Sequence, residues 1–167
     1  MSAATPPSAS PAPDLTAEEI AWLAADTMWA TDVASQALGM EIIDVGPGTA
    51  VLAMLVRDDM ANGFGMAHGG MMFTLADSAF AYACNSHGLL TVAAHCSISF
   101  MTAGKRGDRL IASAREVSRK GRSGIYDVQI AVNGTVIAEF RGHSRTIGGS
   151  FLPGSPPPAR STGPSSS

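Results

Sequence analysis

The chain has 167 residues, is 46% hydrophobic and 15% charged, and carries a formal net charge of −3. Length and balance fit one globular domain with a sizeable core and exclude a disordered chain. The charge is uneven: 10 acids and one base (Arg57) up to Asp77, then 4 acids and 10 bases, a C-terminal +6 that suits a small anionic partner but is too dilute and aromatic-poor for nucleic acid.

Residues 1–14 are rich in Pro, Ala and Ser and are expected to be a disordered tail. The start has no basic n-region or apolar h-region, so no secretory signal is expected. No apolar run reaches 18 residues, so no membrane partner is expected and a cytoplasmic setting is the default. Cys84 and Cys96 fall in predicted core elements without a CxxC or Cys/His cluster, which argues against a metal site or a disulfide framework.

A helix is predicted from Leu15, with Thr16 as N-cap and Glu18 and Glu19 in its first turn. Its continuation through Val33–Leu38 is left open, and Gly39 ends it. Met40–Val45 and Thr49–Val56 read as a hairpin around Pro47-Gly48. A polar loop, Arg57–Ala67, leads into a long helix that reaches about Ser86 with Gly88 beyond its end. Four alternating strands follow. Thr91–Met101 would put Val92, Ala94, Cys96, Ile98 and Phe100 on one face. Arg109–Arg119 and Gly124–Val132 would join at Lys120-Gly121. Asn133-Gly134 would turn the chain into Thr135–Ile147. One domain over 15–149 is expected, with a second Pro/Ser-rich tail at 150–167. The fold class is α+β, an antiparallel sheet wrapped around a long central helix.

The long helix carries the candidate chemistry. Asp77 sits at its middle, between an apolar arc (Met72, Leu75, Ala76, Ala79, Ala83) and a polar one (Thr74, Ser78, Asn85). A carboxylate there is costly unless paired or used. His68-Gly69-Gly70 opens the helix, where backbone N–H groups lack internal partners and glycines leave them accessible. That composition suits an oxyanion site. Asn62 either holds the turn at Gly63 or orients a water. Gly69 and Asp77 are eight residues apart, roughly 12 Å of helix, which is long for one substrate. Two antiparallel copies across a dimer axis would shorten the span, so a site shared between subunits is expected.

The stretches NGFGMAHGGMMFTLADSAFAYACNSHG, ISF with Met101, KGRSGIYDV and FRGHSRTIGG resemble the hotdog-fold thioesterases, most closely the PaaI-like phenylacetyl-CoA thioesterases, over about residues 22–149. The resemblance implies a hotdog fold, dimers pairing into a tetramer, and hydrolysis of an acyl-CoA thioester without metal or bound cofactor. It implies Asp77 as general base or nucleophile, Asn62 orienting water, and the Gly69 N–H polarising the carbonyl with His68 in support. Substrate contacts are expected at Gly70, Phe73, Asn85 and Ser97, and coenzyme A contacts at Arg119, Lys120, Arg122, His143 and Arg145. Phe73, Phe80, Tyr82, Met66, Met71 and Met72 are candidates for the acyl pocket. The competing readings are an acyl-thioester hydratase or dehydratase, whose His-Phe-Pro-Gly type of entry the chain lacks, and a non-catalytic acyl-CoA-binding module.

Overall fold

The computed structural model describes residues 15–152. The two tails, apart from residues 150–152, lie outside the described residues.

Helix α1 (Ala17–Trp29) begins at a capping box. The Glu19 N–H donates to Thr16 Oγ1 and the Thr16 N–H donates to the Glu19 carboxylate. Its alanine face, Ala21, Ala24 and Ala25, is buried against the hairpin and the central helix. The helix does not run on to Leu38. It stops at Trp29, and a separate short helix α2 (Val33–Ala37) starts where the Ser35 N–H donates to Asp32 Oδ1.

The strands are β1 (Met40–Gly46), β2 (Thr49–Leu55), β3 (Leu89–Phe100), β4 (Arg109–Lys120), β5 (Ser123–Val132) and β6 (Thr135–Ser150). They form one antiparallel sheet in the order β1-β2-β4-β5-β6-β3. The central helix α3 (Gly69–Asn85) lies across its concave face, the arrangement that the resemblance implies. Ala76, Ala79 and Ala83 are fully buried beneath it, so the helix approaches the strands closely. Phe80 lies flat on β6 at Gly142, where a Cβ would come within 2.8 Å of the ring. Burying such a side chain contributes about 1.5–3 kcal/mol. Among the described residues no helix is long and apolar enough to cross a membrane.

Three expectations change. The β4–β5 turn is Gly121-Arg122, because Lys120 still pairs with Ser123 and Gly121 takes the positive φ of 58°. The Asn133-Gly134 turn stands, with φ of 48° and 79°. The last strand passes Ile147 to Ser150, whose hydroxyl donates to the Gly88 carbonyl and ties the chain end to the end of α3. The simple alternation of β3 fails: a register shift between Ala93 and His95 breaks its phase, leaving Val92 exposed while Cys96 and Ile98 still face the core. β3 is also an edge strand, so Phe100 remains exposed despite its inward parity.

Candidate active site

The start of α3 is built by a loop that folds on itself. The Asn62 N–H donates to the Met66 carbonyl, and Asn62 Oδ1 accepts from the N–H groups of Phe64 and Met66. Asn62 is therefore the turn residue the plainer reading gave. Its oxygen is committed, while its amide nitrogen donates to nothing among the described residues. The loop sets His68 at the N-cap with extended backbone. His68 Nδ1 accepts from the Gly70 N–H at 2.9 Å, which leaves the proton of the neutral ring on Nε2. Gly70 leaves room for this contact, since a Cβ there would lie 3.0 Å from His68 Nδ1. Of the two glycine N–H groups, only that of Gly69 has no acceptor among the described residues. Gly69 lines a cleft together with Asn62, Met66, Met72, Phe100 and Met101. An open N–H at a helix start, with the helix dipole behind it, is a donor for developing negative charge.

Asp77 is half-buried, about 12 Å further along the helix axis, and does not line that cleft. Its one hydrogen bond comes from the Cys96 thiol, 3.6 Å from Oδ1. Burial pushes its pKa above the usual carboxylate range, and the weak thiol donor only partly opposes this. Among the described residues no cation is paired with it. Burial and the neighbouring Asp77 charge push Cys96 up to about 11, so it stays a thiol at neutral pH. A carboxylate raised in this way is a stronger base than a free one, and it is held without a salt bridge that would quench it.

The structure does not gather all the expected substrate contacts. Phe73 packs edge-to-face on Phe140 with ring centroids 5.4 Å apart. Asn85 is buried and its amide joins α3 to β3: Nδ2 donates to the carbonyls of Ala81 and Thr91, and Oδ1 accepts from the Thr91 N–H. Ser97 lies opposite Arg141, on the sheet face away from α3 and Asp77. Phe80 and Tyr82 are fully buried core residues, which removes them from the acyl pocket.

The five basic candidates divide. Lys120, His143 and Arg145 line an outer-face cleft together with His95, whose ring meets His143 edge-on at 5.7 Å. Arg119 turns to the helix side and pairs with Glu116 at 3.4 Å. Arg122 donates to the Thr146 carbonyl at 2.8 Å. The split follows from a register shift between Glu116 and Ser118, which changes the parity of β4. Sequence reasoning gave no role to Cys96, Phe100 or Met101. The signal was the parity that placed Cys96 and Phe100 on the inner face. Among the described residues no group of three His, Cys, Asp or Glu side chains could hold a metal ion.

The thioesterase superfamily model matches residues 64–138. The acyl-coenzyme A thioesterase PaaI of Escherichia coli is 44% identical over 132 residues, covering 78% of this chain and 94% of that protein. The solved structure of E. coli PaaI, from the phenylacetic acid degradation operon, superposes with a TM-score of 0.79 at 43% identity, covering 81% of this chain and 99% of that one. A hypothetical thioesterase protein from Streptococcus pneumoniae, solved with coenzyme A, is 29% identical with a TM-score of 0.63, covering 65% of this chain and 86% of its own.

Proposed function

The chain belongs to the thioesterase superfamily, as a hotdog-fold acyl-CoA thioesterase of the PaaI kind, and on that premise we propose that it hydrolyses a phenylacetyl-type thioester to the free acid and coenzyme A. The observation that carries the reading is the unpaired Gly69 N–H at the start of the helix that also presents Asp77. The thioester carbonyl accepts from Gly69. Asp77 takes a proton from a water as its oxygen attacks the carbonyl carbon. The negative charge that forms on the carbonyl oxygen is held at the helix start. Collapse of the tetrahedral adduct breaks the C–S bond, the coenzyme A thiolate leaves, and a proton from Asp77 or solvent restores the thiol. Asn62 helps through its amide nitrogen, and His68 fixes the loop. Phe73 is the expected substrate contact best placed to serve, on the half-buried side of α3.

The 12 Å between Gly69 and Asp77 supports a site built from two subunits, with each substrate using Gly69 of one copy and Asp77 of the other. The free edge of β3 supports such pairing: it is 12 residues long and exposes Leu89, Val92 and Phe100. A tetramer of two such dimers completes the reading. The cleft that Lys120, His143 and Arg145 share supports a role for them in binding the phosphates of coenzyme A, whereas Arg119 pairs with Glu116 and Arg122 with the Thr146 carbonyl. No cofactor takes part, and both cysteines stay reduced in the cytoplasm.

A thiol-reporting assay over a panel of acyl-CoA esters tests the reading. Phenylacetyl-CoA should release free thiol, and Asp77→Asn should cut kcat by about 10²–10⁴, the usual contribution of a general base. Full activity in that variant would sink the mechanism. Hydration of an enoyl thioester without thiol release would favour a hydratase instead.

A further inference from the structure

The cleft at the start of α3 has a volume of about 280 Å³ and is mostly apolar, with Met66, Met72, Phe100 and Met101 as its principal walls. Phe100 closes β3 and is 51% exposed, and the adjoining Met101 is 58% exposed. The tip of the Phe100 ring stands directly against the helix start: a Cβ on Gly69 would meet Phe100 Cζ at 3.0 Å. The ring therefore borders the residue whose N–H would donate to the carbonyl. Thioethers and a phenyl ring are polarizable and contact an aromatic face well. Covering the helix start with them removes water from the donor and strengthens its interaction with an oxyanion. The cleft is at the small end for a ligand site, with room for a single ring close to the carbonyl.

We propose that Phe100, backed by Met101, is the specificity-determining wall of the acyl pocket, against which the ring of a short aryl-acyl thioester packs while Gly69 holds its carbonyl. This rests on the assignment of Gly69 as the carbonyl donor. A Cβ at 69 would meet the ring tip at 3.0 Å and press it back from the helix start.

The test is a comparison of kcat/KM for phenylacetyl-CoA and acetyl-CoA. Phe100→Ala should lower the phenylacetyl-to-acetyl ratio by about ten-fold, the scale of a lost aromatic pair. Ala103→Trp fills the cleft from its exposed rim and should lower the same ratio. A ratio unchanged in both folded variants overturns the proposal and leaves the hydrolytic reading intact. In an Asp77→Asn background, calorimetry should find phenylacetyl-CoA binding more tightly than coenzyme A, with Phe100→Ala erasing the difference. If the unmodified protein releases no thiol but that binding difference is found and erased, hydrolysis fails and the wall stands. If no difference in affinity exists at all, the wall is overturned whatever the rates.

Discussion

Asp77 on α3 and Glu116 on β4 have opposite surroundings. Asp77, at mid-helix, has one weak thiol donor and, among the described residues, no cation. Glu116, near the helix C-terminus, has Oε2 2.6 Å from His87 Nε2, accepts from the Tyr126 hydroxyl at 2.8 Å, and pairs with Arg119. Burial works against the Glu116 charge, but Tyr126 and His87 outweigh it and hold the pKa below the usual range. The polar groups around that end are likewise engaged. Ser86 Oγ accepts from the Gly48 N–H and donates to the Ala83 carbonyl, and Asn85 holds Thr91. At the other end the Gly69 N–H and the Asn62 amide nitrogen have no partner among the described residues. One helix thus has a knotted end that holds the fold and an open end available to a ligand.

The largest effect should come from removing the open donor, with Gly69→Ala, which keeps the N–H, as the control for the Cβ that would sit 3.0 Å from the Phe100 ring. Gly69→Pro deletes one N–H at the first helical position, where proline is tolerated, and His68 already has the extended backbone that precedes proline. kcat should fall by about 10²–10³ with little change in Tm. If the site is shared, mixing Gly69→Pro with Asp77→Asn and allowing subunits to exchange should restore about a quarter of full activity, because half of the dimers are mixed and each has one intact site. No recovery despite exchange would place both groups in one subunit.

The knotted end should answer in stability instead. Asn85→Ala should cost about 1–3 kcal/mol in a denaturant melt, because it leaves the Thr91 N–H without its acceptor, with kcat per folded molecule close to normal. A kcat collapse at unchanged stability would move Asn85 into the site. Asn62→Asp is a smaller, finer probe. A carboxylate still accepts from Phe64 and Met66, so the loop should survive, but the amide donor is gone. A drop in kcat/KM of about ten-fold, one hydrogen bond to a charged group, is expected without loss of fold.

The two acids should also respond to pH with opposite signs. Folding raises the pKa of Asp77, so its ionisation destabilises the protein as pH rises from the ordinary carboxylate pKa through the raised one. Asp77→Asn should raise Tm at neutral pH, and the gain should vanish in acid. Folding lowers the pKa of Glu116, so its stabilisation is full above the ordinary value and lost as pH falls through the lowered one. Glu116→Gln should lower Tm at neutral pH, with the difference closing in acid. Matching signs in the two melts would erase the contrast.

The knotted end was largely hidden in the sequence, and the open end was not. Gly69, Asp77 and the buried alanine arc follow from helical spacing, and the hairpins follow from Pro47-Gly48 and Asn133-Gly134, because these signals are local. The Cys96–Asp77 contact, the outer placement of Ser97 and the division of the basic residues depend on which strand lies beside which, and on register shifts in β3 and β4. A bulge changes facing parity without leaving a mark in residue type. Asn85 resembled a site residue because a satisfied amide and a free one have the same letter.

The strand order also sets a sequence of assembly. β1–β2, β4–β5 and β5–β6 are hairpins, but β2 pairs with β4 across a gap from Leu55–Arg109 to Thr49–Arg115, and β3 with β6 across one from Phe100–Ala138 to Leu89–Ser150. Closing so long a loop carries an entropic cost that the hairpins largely avoid. Cys96 and Phe100 both ride on β3, so neither Asp77 nor the Gly69 cleft acquires its neighbours until the last strand is in place. The central helix is complete in the chain well before β6, the strand that holds β3 beside the site, has been synthesised.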